Sequence, residues 1–220
     1  MNLDHEKPFI HQIWIGPEKS AIIRECMQSV RDMNPEFEYM EWNEKNFPKF
    51  DYQDIIDQSQ SPRESSDIMR IEIVRNYGGI YLDSDMLCLK PLYPLWNIAG
   101  GSFSVMAETA MMTTRELNVI SACFAANEHE PWMEKAFNAI PQIFHDIGDH
   151  HDDCPYQCAH DVATRNFQKY GRTLYPEKFV QWKTDDGVNA YLIHIGQDSV
   201  NDPQMLQRVR RARITGCWQT

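Results

Sequence analysis

The run Tyr77-Gly78-Gly79-Ile80-Tyr81-Leu82-Asp83-Ser84-Asp85 decides how this chain is read. Ile80-Tyr81-Leu82 is a short apolar, β-prone run, so it reads as a buried strand. The two glycines before it stop a helix. That helix is expected over Ser65–Tyr77, with Ile68, Ile71 and Val74 or Arg75 on one stripe. Asp83 and Asp85, two residues apart, project to the same side of an extended chain. They fall at the C-terminal end of the strand, where open α/β sheets hold their ligands. Paired carboxylates there suit a hard divalent cation such as Mn²⁺ or Mg²⁺, which leaves positions open for phosphate oxygens. A nucleotide diphosphate would supply them.

An isolated Asp-x-Asp is also compatible with an acidic surface turn. A phosphatase of the haloacid-dehalogenase type is disfavoured, because its pair normally precedes Gly-Thr or Gly-Val and Met86-Leu87 stands here. A two-carboxylate glycosidase needs its acids roughly 5 Å or more apart, across the sugar bond.

Outward from this run, strands alternate with helices. Phe9 to Ile15 is β-branched and aromatic and stops at Gly16-Pro17, which marks a strand and a turn. Ile22, Ile23, Cys26, Met27, Val30 and Met33 recur at helical spacing until Asn34-Pro35. Further strands are expected at Phe37–Trp42, Ser102–Ala107, Val119–Ala125 and Tyr191–Ile195. Further helices are expected at Pro131–Ile147 and Pro155–Tyr170, each with Pro in its first turn. The alternation argues for α/β layering around a mostly parallel sheet.

The 220 residues fit one domain, 1–220, with a basic helix or tail at 201–220. Composition is globular, with 42% hydrophobic and 24% charged residues. The net charge of −11 disfavours general nucleic-acid binding, which needs clustered cations. No apolar run reaches membrane-spanning length, and residues 1–8 show no secretory signal. The six cysteines are scattered and read as reduced thiols, which points to a cytoplasmic compartment. Cys154 and Cys158, with His150, His151 and His160 nearby, read as a loop entering a helix; a structural zinc is the rival reading.

Around the acidic pair, Ser66-Asp67-Ile68-Met69-Arg70 and the Tyr77–Asp85 run strongly resemble the glycosyltransferases that carry a DXD sugar-binding region. These include the fungal initiating mannosyltransferase, capsule and lipopolysaccharide transferases, and glucosylating clostridial toxins. His11-Gln12-Ile13-Trp14-Ile15-Gly16 resembles their opening motif. The strong resemblance covers residues 9–92, and a weaker one extends to about 198. It implies a GT-A fold, a single Rossmann-like, mostly parallel sheet flanked by helices.

By the same resemblance, Asp83 and Asp85 hold Mn²⁺ (or Mg²⁺) and the donor diphosphate. Trp14 would stack on the base; core packing is its rival role. Asp67 and Arg70, on one helical face, would reach the donor sugar; a surface ion pair is the alternative. Ser66 and Tyr81 also match the donor site, though a helix start and simple packing would explain them as well. Asn118 would face the donor phosphate or acceptor, unless it is a turn residue. His194 would be a further metal ligand, unless it is structural.

The departures are a Glu inside the expected His-Pro at 129–131, Cys154-Pro155 for Gly-Pro, and no Trp after His194. The resemblance implies retaining transfer of a hexose or deoxyhexose from a nucleotide-diphosphate sugar to a glycan or lipid-linked acceptor. UDP is the favoured base, GDP (mannosyl-type) the alternative. A non-catalytic nucleotide-sugar or glycan-binding domain is the other class, and intact Asp67, Arg70, Asp83 and Asp85 argue against it. Fungal members carry an anchor, so a bacterial or viral cytosolic enzyme, or an excised domain, is expected. At 201–220, Arg208, Arg210, Arg211 and Arg213 face only one acid, Asp202, in a helix beginning at Asp202-Pro203. They suggest weak membrane-surface contact, against the rival of a solvated or internally paired helix face.

Overall fold

The computed structural model describes residues 7–59, 61–108, 117–142, 144, 173–175, 180–182 and 190–219. In chain order its elements are β1 (Phe9–Ile13), α1 (Ala21–Met33), β2 (Glu38–Trp42), α2 (Gln53–Ile56), α3 (Pro62–Tyr77), β3 (Gly79–Leu82) and β4 (Met86–Cys88). Then come α4 (Tyr93–Ile98), β5 (Phe103–Glu108), β6 (Leu117–Ala126), α5 (Pro131–Asn138), β7 (Thr173–Tyr175), β8 (Val180–Trp182), β9 (Leu192–His194) and α6 (Pro203–Thr215).

Six strands form the central sheet in the order β2-β1-β3-β6-β5-β7. β1 is parallel to β2 and β3, and β7 is parallel to β5; β6 runs antiparallel between β3 and β5. A second sheet, β4-β9-β8, branches off where β3 ends. Nothing local in the sequence signals it, because Met86–Cys88 finds its partner at residues 192–194.

Helix α1 begins where Ser20 caps the Ile23 amide at 3.3 Å. Its buried Ile22, Ile23, Cys26, Met27 and Val30 match the expected stripe. Helix α3 begins earlier than expected, at Pro62, with Ser61 accepting from the Glu64 amide at 3.3 Å. Its burial is not confined to one stripe: Asp67, Ile68, Met69, Arg70, Ile71, Glu72, Ile73 and Val74 are all buried, since other elements cover the face turned from the sheet. Each fully buried Ile here contributes roughly 1.5–3 kcal/mol.

The stop after α3 is steric. Gly78 and Gly79 have φ of +62° and +102°. A Cβ on Gly79 would collide with the Phe9 carbonyl, and one on Gly78 would lie 2.9 Å from the Glu128 amide. These glycines let β3 approach β1 directly out of a helix.

Under this turn lies His11, wholly buried, with Nε2 2.7 Å from the Gly78 carbonyl and Nδ1 3.1 Å from the Trp42 indole Nε1. Nε2 must donate to the carbonyl and Nδ1 must accept from the indole, so only the neutral ring fits. Burial lowers its pKa to about 4, against the smaller raising effect of the Gly78 carbonyl. Between pH 6.5 and 4 the unfolded chain therefore binds a proton that the folded chain does not. The share of stability that depends on His11 should fall by about 3 kcal/mol across that window and stay flat below it. Denaturant titrations at pH 7 and 4.5 check this, since His11→Gln should lose that share of the slope.

At the C-terminus, α6 docks against α1. Met205, Val209 and Ala212 are buried, and Leu206 packs at their edge. Arg210 bonds Glu25 at 2.9 Å, while Arg213 pairs with Glu25 and with Asp32, the latter at 2.6 Å. Arg208 stacks 4.5 Å from the Trp218 ring. Two of the four arginines are therefore committed to the chain's own acids.

Of the cysteines, Cys26, Cys88 and Cys123 are buried free thiols and Cys217 is a partly buried one. Cys154, Cys158, His150, His151 and His160, together with the helix expected at 155–170, lie outside the described residues. The helix expected over 131–147 starts at Pro131 as read, and α5 ends at Asn138.

Candidate active site

The acidic pair stands where two sheets meet. β3 delivers Tyr81 and Leu82 and ends, and Asp83 turns the chain through a bond from the Met86 amide to its carbonyl, 3.2 Å. β4 then starts and pairs with β9 so that Met86 faces His194. This register brings a residue more than a hundred positions away to the acidic turn. One donor atom each from Asp83, Asp85 and His194 lie within 4.8 Å of one another.

Asp85 is buried, and its Oδ1 is 3.3 Å from His194 Nε2. Burial pushes the Asp85 carboxyl up, but the His194 charge and hydrogen bond, its own backbone amide and Arg70 together outweigh this and hold it below its usual value. For His194 burial works downward, yet Asp85 and then Asp83 raise the imidazole above its ordinary value. Two carboxylates and an imidazole in reach of one point form a donor set that fits Mn²⁺ or Mg²⁺. To hold the cation His194 would have to be neutral, so binding there would release a proton.

Arg70 is the hub of the site. Its Nη2 is 2.8 Å from Asp67 Oδ1 and its Nη1 is 3.1 Å from Asp83 Oδ1. It also donates to the Ser66 carbonyl at 3.0 Å and hydroxyl at 3.1 Å, and to the Ser121 carbonyl at 2.9 Å and hydroxyl at 3.2 Å. Burial alone would make the guanidinium easier to deprotonate; Asp67 and Asp83 more than reverse that. The Arg70–Asp67 pair is thus buried, where the sequence left a surface ion pair open.

Tyr81 packs its ring against Phe124 and beside Arg70, and its hydroxyl donates to Asp83 Oδ1 at 2.9 Å. Both packing and a polar contact are therefore present. Ser66 sits in the second turn of α3 instead of at its start; it donates to the Arg63 carbonyl at 2.7 Å and holds Arg70.

Trp14 lies just beyond β1 and is half-buried, so it is not a core residue. Its indole N–H donates to the Pro17 carbonyl at 2.8 Å, and Lys19 Nζ is 5.9 Å from its ring. It lines an open groove of about 630 Å³ with Gly16, Arg24, Arg31, Glu41 and Asn43 among others. The acidic cluster does not line that groove. Asn118 lies in β6, its backbone opposite Ala107, which is a strand position and not a turn; its side chain lies outside the description. Sequence reasoning missed Ser121, and it assigned no role to Gln12, whose amide donates to the Asp83 carbonyl at 2.9 Å.

Residues 20–102 match the family described as glycosyltransferase sugar-binding region containing DXD motif. The fold matches that of a GT-A glycosyltransferase: galactosyltransferase LgtC, solved with donor and acceptor sugar analogues, is 13% identical with a TM-score of 0.53 over 94% of this chain and 95% of that one. Residues 20–102 are thus similar to the DXD glycosyltransferases, and the chain has a GT-A fold. It is 36% identical over 152 residues to inositol phosphoceramide mannosyltransferase 3 of Schizosaccharomyces pombe, a match covering 60% of this chain and 39% of that protein. It is 30% identical over 137 residues to mannosyl phosphorylinositol ceramide synthase SUR1 of Saccharomyces cerevisiae, covering 60% of this chain and 34% of that protein. The chain thus spans between a third and two fifths of these relatives.

Proposed function

We propose that this chain is a divalent-metal-dependent, retaining glycosyltransferase that moves a hexose from a nucleotide-diphosphate sugar to a glycan or lipid-linked acceptor. The observation that carries the reading is the convergence of Asp83, Asp85 and His194 beside the buried Asp67–Arg70 pair. Asp83, Asp85 and His194 would hold Mn²⁺ or Mg²⁺, which when bound would supply positive charge against the departing diphosphate. Asp67 and Arg70, locked together by the Ser66 and Ser121 bonds, orient the donor sugar. Arg70 adds a fixed positive charge, and Tyr81 and Arg70 set the angle of the Asp83 carboxylate. Among the described residues no carboxylate stands out as a nucleophile, so the reading is front-face substitution through an oxocarbenium-like state, with the leaving phosphate helping to deprotonate the acceptor hydroxyl.

UDP remains the base favoured by the motif resemblance. The mannosyltransferase names of the sequence relatives favour a GDP-linked mannosyl donor, and their ceramide-linked substrates favour a lipid-linked acceptor. A thermal-shift panel of UDP- and GDP-sugars with and without Mn²⁺ separates these readings, because a bound ligand raises stability by mass action. A panel in which no nucleotide sugar shifts the melt with Mn²⁺ present removes the proposal.

Trp14 is proposed to stack on the nucleobase at the mouth of its groove. Trp14→Ala should then weaken nucleotide binding by roughly 1–3 kcal/mol, with little change in melting temperature because the indole is only half-buried. Calorimetry beside a melting curve checks it, and an early melt with unchanged affinity would return Trp14 to packing.

We place the chain on the cytoplasmic side of any membrane it meets. Surface attachment, if made through α6, rests on Arg211, since Arg210 and Arg213 are ion-paired and Arg208 bonds the Gln219 carbonyl at 3.0 Å and stacks on Trp218. Pelleting with anionic liposomes at low salt should be weak and should fall in the Arg211→Gln variant. Equal pelleting of the two proteins removes the role.

A further inference from the structure

Gln12 is a fully buried amide in a strand whose other residues are Phe9, Ile10, His11 and Ile13. A buried amide in such a strand is costly unless its groups are bonded, and this one bonds twice. Its Nε2 donates to the Asp83 carbonyl at 2.9 Å, and its Oε1 accepts from the Tyr39 hydroxyl at 2.8 Å.

The orientation is dictated by chemistry. A carbonyl only accepts, so the NH₂ must face Asp83, and Oε1 must then face a donor. Burial keeps the Tyr39 phenol protonated, with its pKa pushed up, so it stays that donor. Tyr39 is in turn held from the surface side, with the Arg31 guanidinium 4.3 Å from its ring centroid and Arg31 bonded to Glu41 at 2.7 Å.

The Asp83 carbonyl is also the acceptor for the Met86 amide that closes the turn carrying Asp83-Ser84-Asp85. Gln12 therefore adds a second donor, from a neighbouring strand, to the one backbone atom on which the turn closes. β3 ends at Leu82 and β4 begins at Met86, so within this turn that bond is a tie to β1.

We propose that Gln12, oriented by Tyr39, is a positioning residue for the Asp83–Met86 turn, fixing the separation of the two carboxylates before any cation arrives. The inference deepens the proposed function and rests on it for the purpose of the site, while the mechanical claim stands on the turn alone. Outer partners of metal ligands typically matter at the level of 10–100-fold in affinity or activity.

Three measurements on Gln12→Met and Tyr39→Phe test it. In metal-free protein, exchange of the turn amides should speed several-fold relative to the Ile80 strand amide in both variants. Mn²⁺ affinity by calorimetry should drop roughly 10-fold in Tyr39→Phe and more in Gln12→Met. Turnover should show the loss in kcat, with donor KM nearly unchanged. A merely structural role would lower the melting temperature and leave the exchange ratio and Mn²⁺ affinity at wild-type values, which overturns the inference. If Gln12→Met does not fold, Tyr39→Phe decides alone. A wild type that takes up no Mn²⁺ overturns the metal reading, and the exchange ratio then still decides whether Gln12 holds the turn.

Discussion

Asp85→Asn should lower metal-dependent sugar transfer by about a thousandfold or more while leaving the fold intact. Asn keeps the shape of the side chain, and its carbonyl oxygen can still accept from His194, now 3.3 Å from the carboxylate. What is lost is a buried negative charge. Without it the effect that raises His194 is largely removed, and the imidazole returns toward the neutral form. A neutral amide buried in the same bonds is tolerated, so the melting temperature should move little. The divalent cation loses one of its two carboxylates, and the support a metal gives to a departing diphosphate is several kcal/mol, which at 1.36 kcal/mol per tenfold is a thousandfold or more. Transfer and donor hydrolysis would be measured across a Mn²⁺ titration, with circular dichroism to confirm folding. Wild-type turnover in the variant, or full activity of the wild type in EDTA, ends the metal reading.

The sequence made the acidic turn legible because every signal around it is local. Helical spacing from Ile68 to Val74, two glycines needing positive φ, a four-residue strand and two carboxylates two positions apart all lie within about twenty residues. Asp67 and Arg70 were legible as a pair by their spacing, but not as a buried one. Their burial depends on Ser121 and on the packing of α5 against α3, both far off in the chain. The strand at 191–195 was legible, and His194 entered through the resemblance, but the pairing that builds the second sheet was not. His194 reaches Asp85 only because β4 and β9 pair in one register, and no local pattern encodes a partner a hundred residues away. Gln12 did leave a trace, a polar side chain inside an apolar strand. Its partner Tyr39 sits in a different strand, so the trace had no visible reason.

Replacing Arg70 should cost several kcal/mol of stability. In Arg70→Met the side chain keeps much of its length and loses its charge, so Asp67 is left buried without the cation 2.8 Å away and Asp83 without the one at 3.1 Å. Breaking a buried pair by removing one partner typically costs 3–5 kcal/mol. For a chain of this size that is a fall in melting temperature on the order of 10 °C. The Ser66 and Ser121 groups that accept from Arg70 lose their donor as well. Arg70→Lys should recover only part of the loss, because an ammonium on a flexible stem cannot reach two carboxylates and two serines with a planar fork.

The pH dependence separates lost charge pairing from lost packing. In the Met variant the buried Asp67 carboxylate binds a proton more readily folded than unfolded, so its folded pKa is raised. The folded state then gains a proton as pH drops, and the gap to wild type should be widest near pH 7. It should narrow as pH falls through the raised folded pKa toward the unfolded value near 4. Denaturant unfolding of wild type, Arg70→Met and Arg70→Lys from pH 7 to 4 measures that gap. A deficit that stays constant across the range would mean that Arg70 acts by filling space, and the charge-hub account of the site would fall with it.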